Sequence, residues 1–227
     1  MSDIPLPPIE RFTLKRAVNQ AVGLAVLMIA SLGGYLAILK WRGWDGYDHI
    51  TWIPWDEVVP FQPGWVWAYL IPYIVGPTLV GLMSRETFAW FVPRAIVAVL
   101  LSLTVFIIYP TQTAARPPLT LEPGPTRELY KWMIEVDEPP ANAAPSLHVS
   151  LTCLLALALL RDFRRWWLPI VAGTLVVWAA TLFTRQHHLI DVGSGALVAC
   201  AVVLVWPRRQ NLGENGALRA GADKSAL

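Results

Sequence analysis

Two short polar motifs bracket neighbouring apolar runs in the second half of the chain. Pro145-Ser146-Leu147-His148 opens one run, and Thr184-Arg185-Gln186-His187-His188-Leu189-Ile190-Asp191 joins the next two. Histidine and aspartate are costly at a membrane boundary, so their presence there marks a functional candidate. His187 and Asp191 are one helical turn apart. A carboxylate at that spacing accepts the N–H of one ring nitrogen and leaves the other free as a nucleophile. Attack on phosphorus would give a phosphohistidine, with His148 donating a proton to the leaving oxygen. Arg116 and Arg185 supply cations for the equatorial phosphoryl oxygens. Ser146 and the free N–H groups at the start of its run offer an anion site. This set moves a phosphoryl group without a metal, and no residue cluster has metal-ligand spacing, since the adjacent His187 and His188 diverge on a helix.

Each residue also has a plain structural reading. Ser146 after Pro145 suits a helix N-cap, and Arg185 suits an interfacial cation that snorkels. Arg94, near the start of its apolar run, is read as snorkelling too. His188 is a bystander, because only His187 has Asp at the fourth following position. His49, among tryptophans, is given no role beyond the interface.

The elements that must position these groups are membrane helices. Of the 227 residues 55% are hydrophobic and only 15% charged, and the mean hydropathy is +0.47. That profile excludes an ordinary soluble domain and fits an all-α polytopic membrane protein. A net charge of +2 gives no reason to expect a nucleic-acid partner. Six spans of roughly 20 apolar residues are expected near 17–39, 64–83, 88–109, 144–160, 168–183 and 189–206. The first is read as a retained helix, with residues 1–16 as a cytoplasmic tail, 17–207 as the membrane domain and 208–227 as a disordered cytoplasmic tail. Arg85, Arg161, Arg164 and Arg165 fall on one side of this topology. Asp56, Glu57, Glu122, Glu128, Asp137 and Glu138 fall on the other, which places the loops carrying Arg116, His148 and His187 on the extracytoplasmic face of the cell membrane. The fourth and fifth spans form an antiparallel hairpin turning at Arg161-Asp162-Phe163-Arg164-Arg165. Its arms return His148 and His187 to the same side, about one helical turn apart in depth. The loop with Trp41, Trp44, Trp52 and Trp55 reads as an interfacial aromatic belt.

Arg116-Pro117, then Pro145-Ser146-Leu147-His148, then His187 with Asp191 resemble the three motifs of the type 2 phosphatidic acid phosphatase (PAP2) superfamily. The resemblance covers the last three spans and the loop before them. It implies a six-helix bundle without a cofactor, in which His187 is the nucleophile, His148 the acid, Asp191 the orienter of His187, and Arg116 and Ser146 phosphate ligands. The substrates it implies are lipid phosphates or diphosphates. The chain departs from the family pattern at Tyr109, where a Lys is usual, and at Ala180-Thr181, where Ser-Arg is usual. Arg185, one turn nearer His187, restores a cation on a similar face. Phe183-Thr184-Arg185-Gln186-His187 and Leu147 resemble the branch containing inositol phosphorylceramide synthases. Three readings follow: a lipid phosphatase, a phosphotransferase moving a headgroup to an alcohol, and a non-catalytic membrane protein. Ionisable groups at the helix ends, with apolar centres, weigh against a transporter.

Overall fold

The computed structural model describes residues 14–43, 46–47, 49–114 and 116–206. Trp44, Asp45 and Asp48, and most of the two expected tails, lie outside them. The fold is mostly helical. The first long helix runs as α1 (Leu14–Met28), a π-helical turn (Ile29–Gly33) and α2 (Gly34–Arg42). It is followed by α3 (Val66–Leu82), α4 (Arg85–Ile108), α5 (Pro125–Val136), α6 (Leu147–Asp162), α7 (Trp167–Phe183) and α8 (Leu189–Val205). Among the described residues, four helical stretches are long and apolar enough to cross a membrane: Val18–Arg42, Pro63–Leu82, Arg85–Ile108 and Arg164–Phe183. Where the other two spans are expected, the chain forms the shorter helices α6, of 16 residues, and α8, of 17.

The core sits where α4, α6 and α8 meet. Ala95, Ala98, Ala158 and Ala199 are fully buried there beside Val99 and Leu154. Small residues at helix contacts let the backbones approach, which is how helices associate where lipid is as apolar as the side chains. Gly34 is of this kind: a Cβ on it would stand 2.5 Å from Leu103 Cδ1.

Both ends of the bundle are tied by polar groups. At one end Asp162 accepts the Ser84 N–H (2.7 Å), the Ser84 hydroxyl (2.9 Å) and the Thr87 hydroxyl (2.6 Å), joining the end of α6 to the start of α4. Arg94 lies nearby and does not snorkel. It is 5% exposed, donates to the carbonyls of Trp90 and Trp206, and stacks on both indoles. At the other end β1 (His49–Ile50) pairs in parallel with β2 (Thr111–Gln112), and Gln112 bridges to Ala141. Three long-range connections are thereby knitted into one cap over the helix ends. His49 stacks face to face on Tyr109 with centroids 4.0 Å apart, so its place is structural.

The helix α5 was not expected from the sequence. Pro125 at its first position suits a helix start. Leu129, Tyr130, Met133 and Ile134 then form one apolar face against Phe61, Trp65 and Val66. Arg127, Glu128, Lys131 and Glu135 form the opposite, polar face, which is the pattern of a helix lying on a surface, while Trp132 and Val136 between the two line the main cavity.

Candidate active site

His148 is placed by the start of α6. Ser146 is the N-cap, its hydroxyl accepting the Val149 N–H at 3.4 Å, and it is fully buried. Its backbone N–H donates to the Asp191 carbonyl (3.1 Å), which binds the start of α6 to the first turn of α8. A Cβ on Gly195 would stand 2.5 Å from the Ser146 carbonyl oxygen, so only glycine admits this approach. The His148 ring is then clasped by α3. Tyr69 stacks on it at 4.2 Å between centroids and Tyr73 meets it edge-on at 5.1 Å.

His187 is placed by the turn between α7 and α8. Arg185 takes φ 55° just beyond the helix end. Gln186 donates to the Thr181 carbonyl and Arg185 to that of Leu182, at 3.1 and 3.0 Å, which is the Schellman arrangement with arginine where glycine is usual. The guanidinium anchors the turn: Nη1 donates to the Asp56 carbonyl (3.0 Å) and Nη2 to that of Val59 (2.7 Å). The Tyr130 hydroxyl of α5 donates to the Thr184 carbonyl at 2.8 Å. The start of α8 is held by two carboxylates. Asp191 Oδ2 accepts the His188 N–H at 2.7 Å, and Asp56 Oδ1 accepts that of Leu189 at 2.9 Å. Both carboxylates lie where a helix N-terminus stabilises negative charge.

These restraints bring the two imidazoles together, with ring centroids 6.3 Å apart. His187 Nδ1 lies 3.5 Å from Asp191 Oδ2, an ion-pair distance rather than a formed hydrogen bond. Asp191 is fully buried and the His187 side chain is 11% exposed. Both rings line one end of a cavity of about 530 Å³. From there the cavity runs between α1, α3, α4 and α6 past Leu24, Val80 and Phe91, so its wall is almost wholly apolar.

Arg116 reaches the same end. Its Nη2 donates to Asp137 Oδ2 (2.5 Å) and Gln186 Oε1 (3.3 Å), with Nε on the Arg185 carbonyl (3.5 Å). Burial raises the Asp137 carboxyl above the ordinary range, and the Arg116 cation opposes that shift. His188, set down as a bystander, is buried and used. Its Nε2 accepts the Ala114 N–H at 3.0 Å and Nδ1 lies 3.7 Å from Asp56 Oδ1. Burial lowers its pKa, against the pull of Asp191 and Asp56.

The expected residues thus fall into two groups. His148, His187, Asp191 and Arg116 converge at one end of the bundle. Ser146 and Arg185 are adjacent to them, but the serine hydroxyl caps α6 and both terminal nitrogens of the arginine bind backbone carbonyls. Asp56 and Asp137 were seen only as outer-face acids, and Tyr35, Tyr69 and Asn142 were not singled out. The spacing Ile53-Pro54-Trp55-Asp56 did carry a signal, since an acid three residues after a turn start reaches back to its N–H, as Asp56 Oδ2 does at 2.9 Å. Among the described residues no three His, Cys, Asp or Glu side chains are grouped to hold a metal ion. No family model, curated protein or solved structure matches the chain.

Proposed function

We propose that the protein is an integral-membrane lipid phosphatase of the PAP2 type, working through a phosphohistidine. The observation that carries this reading is the pair of imidazoles, 6.3 Å apart, at the polar end of a long apolar cavity. A lipid phosphate matches that shape: hydrocarbon in the apolar part, phosphorus between the rings. Asp191 beside His187 Nδ1 favours the tautomer whose Nε2 carries the lone pair. As the Nε2–P bond forms, the P–O bond to the lipid alcohol breaks, and that oxygen takes the proton from His148. Water then attacks phosphorus, giving its proton back to His148 as the N–P bond breaks. Arg116 is the cation best placed for the equatorial oxygens, and the N–H groups at the start of α6 add a fixed positive dipole.

Within this reading α6 and α8 complete six spans, and the histidines open to the extracytoplasmic face. The Arg-bearing turn of residues 161–165 and the start of α4 share the end opposite the histidines, as the positive-inside rule requires. The test is phosphate release from a panel of lipid phosphates and diphosphates by purified protein, wild type against His187→Ala. Equal rates for the two would remove the reading.

A further inference from the structure

The end of the bundle opposite the histidines carries a cluster that phosphoryl transfer does not use. Arg94 lies within α4, about 13 Å along the helix from Arg85 at its start. It is 5% exposed, and its Nε is buried without a hydrogen-bond partner among the described residues. Its other two nitrogens donate to the carbonyls of Trp90 (2.9 Å) and Trp206 (2.5 Å), so the last turn of α8 ends at the depth of Arg94. The end of α6 reaches further, to Ser84 and Thr87 through Asp162. Among the described residues this leaves a notch over the end of α8, walled by α4 and α6. Two guanidiniums share it, because Arg94 Cζ and Arg161 Cζ lie 4.6 and 5.0 Å from the centroid of the same Trp90 ring. Arg164 and Arg165 stand exposed on the turn that follows α6.

A cation held this deep in a membrane helix is costly and calls for an anion. Among the described residues no ion pair joins Arg85, Arg94, Arg164 or Arg165 to an acid. Asp162 is engaged by the start of α4, and Glu86 lies about 12 Å from Arg94 along the helix. The Trp90 ring carries two guanidiniums and the Trp206 ring one, so an ammonium headgroup would meet cations here and no free acid. A phosphate without an ammonium group fits both observations.

The seam between α4 and α8 supplies the apolar part. Neither helix has a charged residue between Arg94 and Val105 or between Leu197 and Trp206. The seam leads to a second cavity of about 330 Å³, lined by Val105, Leu197 and Val198. We propose that this end of the bundle holds an anionic phospholipid of the leaflet opposite the histidines, its phosphate on Arg94 and Arg161 and its chains along the α4–α8 seam. Basic pockets between helices at a membrane surface bind such headgroups. The site rests on the helices spanning a membrane and not on phosphohistidine chemistry.

The test titrates full-length protein in detergent micelles with dioleoyl phosphatidylglycerol or dioleoyl phosphatidylcholine and counts bound lipids by native mass spectrometry. Wild type should bind the anionic lipid about ten-fold or more tightly than the zwitterionic one. Arg94→Gln and Arg161→Gln each remove the charge and keep an N–H donor. Both should lower the affinity for phosphatidylglycerol about ten-fold and leave that for phosphatidylcholine unchanged. Lipid in the main cavity touches neither residue, so the loss reports this end of the bundle. Arg85→Gln, at the exposed start of α4, should keep wild-type affinity. Equal affinity of wild type for the two lipids overturns the site. So does a loss in Arg85→Gln equal to that in Arg94→Gln, which is the mark of diffuse surface charge. A thermal midpoint raised by inorganic phosphate alone, and not in the two variants, makes the ligand a free anion and overturns the lipid. Thermal midpoints also identify a variant that has not folded; the other then carries the comparison, and the wild-type preference is independent of both.

Discussion

Arg185 Nη2 donates to the Val59 carbonyl at 2.7 Å, across 126 positions of sequence, while its own backbone sits at φ 55°. The strain of a left-handed arginine is about 1 kcal/mol or more, and two charge-assisted bonds to the segment at residues 56–59 offset it. The side chain therefore works as a strap that sets the turn before His187. Expected as a phosphate ligand, it has its fork already engaged. Arg185→Ala should lower thermal stability by about 2 kcal/mol, losing the bonds and keeping the strain. Arg185→Gly should be less destabilised by about 1 kcal/mol, because glycine accepts the left-handed region. Thermal midpoints in detergent decide this; a direct phosphate ligand would leave Arg185→Ala as stable as wild type and Arg185→Gly as stable or more so, with turnover lost in both.

His187→Ala should abolish turnover, since a covalent route has no substitute nucleophile. His148→Ala should lose about 10²–10⁴-fold on alkyl phosphates and much less on aryl phosphates, whose phenolate leaves without a proton. The readout is kcat/KM on a matched alkyl and aryl pair. Equal losses on both would take the acid role away from His148.

Asp56 should prove as important as any residue of the motifs, although it touches no substrate. It accepts the N–H groups of Ile53 and Leu189, both at 2.9 Å, from a position 1% exposed. Asp56→Ala leaves two partly buried donors unpaired, at a cost of about 1–3 kcal/mol. The measurable outcome is a lower thermal midpoint. A midpoint equal to wild type would show that α8 starts without this clamp.

Acid should loosen the same turn. His188 has its pKa lowered by burial, and its Nε2 accepts the Ala114 N–H, a role open only to the neutral ring. A lowered folded-state pKa means that stability is complete above the unfolded value of about 6.5 and is lost as pH falls below it. The thermal midpoint should therefore drop from about pH 6.5 downward. His188→Gln, which retains an acceptor and does not titrate, should flatten that slope relative to wild type. Parallel profiles would remove His188 as the cause.

Topology is open to labelling. In a background lacking Cys153 and Cys200, Gly124→Cys and Arg164→Cys report opposite ends of the bundle. An impermeant thiol reagent on intact cells should modify the first and not the second. The reverse pattern would put the histidines on the cytoplasmic side.

The extents of α3, α4, α7 and α8 were legible in the sequence to within a few residues, because a run of apolar residues bounded by polar ones is a local property. So was the return of His148 and His187 to one end, which follows from hairpin length alone. The short amphipathic α5 was missed because it has no membrane-length run, and its apolar face has meaning only against Phe61 and Trp65. What the polar residues do was decided by the tertiary structure. Asp56 meets Leu189 across 133 positions, and Tyr35 meets Asp137 across 102. No local pattern announces such pairs, since they depend on how the outer loops fold over the helix ends. Arg185 shows the difference most clearly. Its charge and its spacing from His187 were plain in the sequence, but only the folded segment at residues 56–59 shows that its hydrogen bonds are made to the protein itself.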